Sequence, residues 1–417
     1  MITKAALIRT LIAFFFSISA MAFGTGRFDA IADLKEKTNY HPPEILLRPD
    51  GGYIALWSEF IKKPMIIAGV QYDSSRYINF YRIVDATGRI VADRRILNFS
   101  LMPLKVYRYG LAVNAQNSIW MDSRKILIVG WEVAYGMDGY RPNRIVMTSS
   151  GEIVAGPDTA IHLGGSHEAI IVKATNGNIY IVDVTNRIQI MQVYPEFSEW
   201  KSISDAKLKA IYEKYDDYLP FNCQAVASLS HDKLLICSRT GWEHTSLKDR
   251  GNWLDFRPDK IHYALLDLEG NFITEPVKLD IVQSAFRVVP GIHLGGNYSD
   301  EDEQFDINRM KNASEDMDLS TLPNGEIILS VTAPANNGKL AVYQLKFNTD
   351  GKFISPDKTE IVNAKPFPKG VVLPVMKCVR AAVGGKDKWR SDLVVFGFDG
   401  EGNFYSEREL WKEQHMK

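Results

Sequence analysis

Short apolar runs come in pairs along this chain, each pair joined by a tight polar turn. Glu44 to Trp57 is one such pair, turning at Asp50-Gly51-Gly52; Ile170 to Val182 is another, turning at Asn176-Gly177. Leu319 to Ser330 is a third, turning at Asn324-Gly325. Asn-Gly and Asp-Gly between apolar runs predict β-hairpins, because the turn needs positive φ, which glycine adopts without a Cβ clash. Weaker copies turn at Asp122-Ser123-Arg124 and His231-Asp232-Lys233.

A second hairpin follows the first, and its glycines recur at Gly88, Gly151, Gly270, Gly351 and Gly402. The step from Gly151 to Gly270 is about twice the others, so one copy there lacks its glycine. The pair at Asn176-Gly177 supplies the missing unit, with Val184 to Val193 as its second half. Two hairpins make four strands, which is one propeller blade. The expected fold is therefore all-β, a β-propeller of about six four-stranded blades, seven being the other count. The blades fall near 44–98, 104–160, 166–196, 222–281, 286–362 and 368–411.

Two stretches break the pattern. Ser202 to Tyr218 carries Ile203, Leu208, Ile211 and Tyr215 near helical spacing with Ser202 or Ser204 as cap, predicting a helical insertion over 200–218. Residues 296–316 are polar and acidic and read as an exposed loop. The domain scheme is a signal peptide over 1–22, a lead-in segment over 23–43 and one propeller over 44–414.

The signal peptide has a basic start at Lys4 and Arg9, a short apolar core and an Ala20-Met21-Ala22 cleavage site. It implies a secreted or periplasmic protein, not an integral membrane one. Balanced charge, 49 Lys+Arg against 50 Asp+Glu, argues against a nucleic-acid partner. Three cysteines, Cys223, Cys237 and Cys378, leave no complete disulfide framework after export. Pairing of Cys223 with Cys237 stays open, because straight cross-strand register sets Cys223 opposite a residue near 240.

The units read apolar–DG–apolar, then Y-x-L-D-x-x-G-x-x-I, best in His262-Tyr263 to Ile273 and Val342-Tyr343 to Ile354. In this the chain resembles secreted bacterial β-propeller repeat proteins. The resemblance covers most of the mature chain and implies a fold, not an activity. The Trp-Asp ends of WD40 repeats are missing, and the sialidase box is matched only by Asp50-Gly51 and Trp57.

No standard catalytic motif is present, so candidates come from repeats with no evident packing reason. Ile161-His162-Leu163-Gly164-Gly165 returns as Ile292-His293-Leu294-Gly295-Gly296 at blade entries, with His167 and Glu168 beside the first copy. These histidines either face a shared ligand or metal or satisfy backbone groups between blades. Repeated His near blade entries is the one feature shared with propeller polysaccharide lyases. A second repeat pairs Trp with an acid: Trp57-Ser58-Glu59, Trp131-Glu132 and Trp242-Glu243. Each leads into a connection rich in aromatic and charged residues, including Tyr140, Arg141, His244 and Trp253. Such groups suit sugar rings or a protein partner's hot spots; the competing reading is blade packing. Asp300-Glu-Asp-Glu303 with Asp306 is either a Ca²⁺ site or a solvated loop; no other cofactor is implied. The leading expectation is a non-enzymatic propeller that binds a partner protein or cell-surface glycan. The alternative is a periplasmic carbohydrate-active enzyme, a glycosidase or lyase.

Overall fold

The computed structural model describes residues 29–32, 34, 43–61, 63–67, 70–72, 76–97, 118–133, 140–161, 164, 169–183, 188–203, 210, 223–239, 261–279, 317–334, 340–354, 373, 375–385, 388–399, 401 and 403–406. Nearly all of these lie in antiparallel sheets that follow one another along the chain.

The first sheet holds β1 (Glu44–Leu47), β2 (Tyr53–Ile61), β5 (Arg76–Val84) and β6 (Ile90–Leu97) in that order. A two-stranded ribbon, β3 (Met65–Ile67) and β4 (Val70–Tyr72), stands in the connection between β2 and β5. The second sheet holds β7 (Ser118–Trp120), β8 (Lys125–Val133), β9 (Tyr140–Thr148) and β10 (Ile153–Thr159). The third holds β11 (Ile170–Lys173), β12 (Ile179–Asp183), β13 (Gln189–Tyr194) and β14 (Lys201–Ser202). The fourth holds β15 (Cys223–Leu229), β16 (Lys233–Arg239), β17 (Ile261–Asp267) and β18 (Phe272–Lys278). The fifth holds β19 (Met317–Thr321), β20 (Ile327–Pro334), β21 (Leu340–Phe347) and β22 (Phe353–Ile354). The last sheet has three described strands, β23 (Val375–Gly385), β24 (Lys388–Phe398) and β25 (Phe404–Ser406).

Sequence explains the turns. In the second hairpins an Asx or Thr side chain opens the turn and accepts backbone N–H groups two or four residues ahead. Asp267 Oδ1 accepts from Glu269 (2.9 Å) and Asn271 (2.8 Å), and Asn348 Oδ1 from Asp350 (3.0 Å) and Lys352 (2.8 Å). Asp399 Oδ1 does the same with Glu401 and Asn403, and Thr148 Oγ1 with Glu152. The glycine three residues on takes φ near +77 to +92° at Gly88, Gly151, Gly270 and Gly351, where a Cβ would be strained. First hairpins use a shorter version, with Asp50, Asn176 and Asn324 accepting from the residue two ahead.

Side chains alternate between faces along each strand, and each sheet buries both. Ile54, Leu56, Tyr81 and Ile83 of the first sheet pack on Ile126, Ile128, Ile145 and Met147 of the second. Leu127, Val129 and Trp131 pack on Ile171, Ile181 and Met191 of the third. The third packs on the fourth through Val182, Ile190, Leu234 and Leu266. The fourth packs on the fifth through Leu235, Cys237, Leu329 and Phe347. A further cluster joins the first sheet to the last: Tyr53, Ala55, Trp57 and Phe80 meet Leu373, Met376 and Val395. Sheets packed face to face in succession, with the last back on the first, make a β-propeller.

Three features bear on the sequence expectations. The third sheet does not end at 196: Lys201 pairs with Ile190 and Ser202 with Gln189, so Ser202 belongs to a strand and does not cap a helix. A glycine-free run, 195–200, replaces the usual turn, held by Ser198 N–H donating to Gln192 O (3.0 Å). Ile203 follows that strand as non-helical, buried backbone, its N–H donating to Ile188 O (3.1 Å); of 204–218 only Ala210, helical, is among the described residues. The lead-in segment also packs: helix α1 (Asp29–Ala32) and Leu34 contribute Ala30, Ile31 and Leu34 to the cluster between first and last sheets. Finally, Cys223 stands opposite Arg239 while Cys237 stands opposite Ala225, and Cys237 is a buried free thiol.

Candidate functional site

Both kinds of Gly turn lie at one end of the sheets. β2, β8 and β16 run from that end to the other, and β5, β9 and β17 return from it. The two described Trp-acid repeats, at Trp57 and Trp131, therefore sit toward the end opposite the turns, where second strands finish and third strands begin.

The tryptophans there are packing residues. Trp57 and Trp131 are each 1% exposed. Trp57 stacks on Phe80 at 5.7 Å, and Trp131 on Trp200 at 6.3 Å. They are not equivalent positions. Tyr53 pairs with Val84 just before one turn, and Ile126 pairs with Met147 just before the next, which aligns Trp131 with Ser58. One residue of offset turns a side chain to the opposite face. Trp57 accordingly packs toward the last sheet and Trp131 toward the third.

The acids are equivalent where the tryptophans are not: the same alignment sets Glu132 on Glu59. Glu59 is committed at both oxygens. Trp57 Nε1 donates to Oε1 (2.9 Å), and Arg94 Nη2 donates to Oε2 (2.7 Å). Arg94 reaches inward from a bulge in β6 with φ +44° and lies over the Phe80 ring at 4.8 Å. A buried carboxylate in this position is a structural anchor and no free general acid or nucleophile.

Glu132 is the cross-strand partner of Arg141, and Val133 that of Tyr140, so three sequence candidates meet at the end of one hairpin. Arg141 is half-buried, and its Nε is a buried atom without a hydrogen-bond partner among the described residues. Arg141 and Asn143 continue the face of Ile145 and Met147 toward the first sheet. Opposite them, Ser58 and Asn79 continue the first sheet's face, with Ser58 Oγ donating to Asn79 Oδ1 (2.6 Å). Nearer the first strands, Glu44 Oε1 accepts the Ser118 N–H (3.1 Å) across the same interface. A polar layer thus caps the apolar cluster between the first two sheets; Asn79, Ser118 and Asn143 in it are buried.

His162, His167, Glu168, His293, Trp242, Glu243, His244 and Trp253 lie outside the described residues, as does the acidic loop. Gly164, inside the first His-containing repeat, has a packing reason: a Cβ there would stand 2.6 Å from Trp200 Cδ1. Among the described residues no group of three or more His, Cys, Asp and Glu is placed to hold a metal. No described helix is long and apolar enough to cross a membrane. Sequence reasoning missed Ser58, Asn79, Ser118, Asn143 and Glu44, since only strand register brings them to one face.

No family model matches the chain, and no curated protein matches it. Solved structures do. A protein of unknown function from Dyadobacter fermentans DSM 18053 is 11% identical, covering 89% of this chain and 94% of that one, with TM-score 0.46. A GH43 beta-xylosidase/alpha-arabinofuranosidase from a compost microbial metagenome, in complex with xylotriose, is 12% identical over 77% of this chain and 95% of that one, with TM-score 0.39. The GH43 endo-arabinanase from Bacillus licheniformis is 10% identical over 76% and 97%, with TM-score 0.35.

Proposed function

We propose that this chain is an exported propeller of six blades that binds glycan at the end opposite its hairpin turns. The observation that carries the reading is Arg141: half-buried, paired in register with Glu132, and retaining a buried Nε without a partner among the described residues. A charged donor beside neutral amides and hydroxyls suits a polyhydroxylated ligand. A flat protein partner would want exposed aromatic anchors, and the two described tryptophans that could have served are buried. Export is supported by Lys4, Arg9, the short apolar core and Ala20-Met21-Ala22.

A second reading, a carbohydrate-active enzyme, has one specific observation in its favour. Glu44 pairs with Leu56 and Asp318 with Ser330, which makes these two acids equivalent on the first strands of the first and fifth sheets. Two carboxylates on first strands are a reasonable start for acid–base chemistry on a glycosidic bond. One experiment addresses both readings. The full chain is incubated with a panel of plant and bacterial polysaccharides, and retention and reducing-end release are measured separately. Retention without release is the expected result. Release that disappears in both Glu44→Gln and Asp318→Asn, with retention kept, would establish the enzyme. Absence of retention on every polysaccharide would remove the glycan reading.

A further inference from the structure

The outer rim of the propeller repeats one irregularity. First strands of successive sheets approach one another, which leaves the fourth strands outermost, each with one free edge. Three of these are long: β6, β10 and β18. Each slips register against its neighbour twice, at the same two places. In β6 the pairing steps from Val84↔Ile90 to Ile83↔Ala92 and then to Tyr81↔Arg95. In β10 it steps from Met147↔Ile153 to Val146↔Ala155 and Arg144↔Asp158, and in β18 from Leu266↔Phe272 to Leu265↔Thr274 and Tyr263↔Val277. The first slip adds Val91, Val154 or Ile273, in each case the third residue after the turn glycine. The second sets two residues, Asp93-Arg94, Gly156-Pro157 or Glu275-Pro276, opposite one. The other described outer strands are short: β14 and β22 have two residues each and β25 has three.

We infer that the rim is built to refuse strand addition: the blades with long outer strands take no fifth strand, either from a second copy of this chain or from an extended peptide. The inference is independent of the glycan reading. A flat antiparallel edge offers unpaired N–H and C=O groups to any strand that meets it. The hazard is real on this rim, because all three long edges open on strand-favouring apolar residues. Ile90, Val91, Ile153, Val154 and Ile273 are exposed there. Only a few residues separate these from the second slip, where the edge is broken again. Arg94 and Gly156 take positive φ, +44° and +84°, which turns the backbone out of the strand path. Pro157 and Pro276 have no N–H to give an incoming strand. The bulge of β6 has a second use, since it lets Arg94 reach Glu59. That use cannot be the shared reason, because β10 and β18 carry prolines in the place of Arg94. What the three strands have in common is an edge no straight strand can follow.

The test straightens the edges in the full chain. One variant lacks Val154 and Pro157, the other Ile273 and Pro276. Each removes one residue from each bulge, so the rest of the strand keeps its faces. Mass is read by light scattering over a range of concentrations, amyloid-type stacking by thioflavin fluorescence, and folding by thermal melting. The parent holds one mass throughout. Each straightened chain at least doubles its average mass as concentration rises, and adding Ile153→Lys to the straightened β10 restores the parent's mass without moving the melting temperature, since a lysine on the edge repels a second strand. Straightened chains that melt cooperatively and keep the parent's mass would overturn the proposal, leaving the bulges to twist or packing. Association that survives the lysine would overturn it as well, because it would not run through the edge. Should the shortened chains lose their cooperative transition, Pro157→Val with Pro276→Val decides, as it keeps chain length and returns two N–H groups to the rim. Concentration-dependent mass in that variant is the expected result, and a mass equal to the parent's overturns the proposal. Growth of the parent's own mass, abolished by Ile153→Lys with Ile273→Lys, would show the rim to be an interface instead.

Discussion

Asp85 shows how much one side chain settles locally. Its Oδ1 accepts from Thr87 Oγ1 (2.6 Å), Thr87 N–H (2.9 Å) and Arg89 N–H (3.0 Å). The Thr87 side-chain bond above all, with the backbone bonds and the Arg89 side chain, lowers its pKa from 3.8 to about 2, against an opposing desolvation. A depressed carboxylate stabilises the fold above its unfolded pKa, and the contribution is lost as pH falls through the folded value. Asp85→Ala should therefore lower the denaturation midpoint by a constant amount above about pH 5, and the gap should close between about pH 4 and 2. Equilibrium denaturation at stepped pH checks this. Gly151 makes a second residue-scale case. Its φ is +92°, and a Cβ would meet the Tyr81 ring at 2.8 Å, where Tyr81 Oη already donates to Gly151 O (2.9 Å). Gly151→Ala combines a left-handed backbone with a clash and should cost about 2–4 kcal/mol by chemical denaturation.

At the scale of the element, hairpins were legible in the sequence and faces were not. Turns of the form Asx- or Thr-x-x-Gly are local: five second-hairpin turns were readable because each needs only its own acceptor and its own glycine. The fourth strand of the third sheet, Lys201–Ser202, was hidden because its turn uses no glycine and its residues also fit a helix cap. The Trp-acid repeat misled for a different reason. Equal spacing from a motif says nothing about face when register differs by one residue, so Trp57 and Trp131 looked alike and point oppositely. The polar layer was invisible because its members come from five strands of two sheets. Burial fixes the expected cost of truncation: Trp131→Ala should destabilise by about 3–5 kcal/mol, by thermal or chemical denaturation. An exposed ligand platform would lose far less. Cys237 tests the fourth sheet in the same spirit. Burial raises its thiol pKa well above the usual value, and its cross-strand partner is Ala225, not a cysteine. Thiol titration should count it as unreactive in native protein and free after unfolding without reductant.

On the scale of the whole molecule, the decisive interface is the one between the first and last sheets. It is built from residues more than 300 positions apart, such as Trp57 and Met376, so no local pattern announces it. Helix α1 strengthens it: Ile31 is 1% exposed and Leu34 fully buried. Arg82, itself buried, donates through Nη1 to the Ala30 carbonyl and through Nε to Asp93 (2.7 Å). Ile31→Asp should accordingly loosen this interface before any other. Hydrogen exchange should rise early in β1, β2, β5 and β23 and stay slow in β15 to β17. A uniform rise would mean that the sheets do not open separately.

That interface also sets a clock. Synthesis delivers Tyr53, Ala55 and Trp57 early and their counterparts Leu373, Met376 and Val395 only near the end. Until the last strands emerge, one apolar side of the first sheet lacks its main cover. A nascent chain that threads out from its N-terminus carries this surface through nearly its whole birth, and among the described residues α1 and Leu34 are the partners already on hand. Stalled or C-terminally clipped chains should therefore stick to chaperones or to one another through that side, while the sheets in the middle of the chain are already complete.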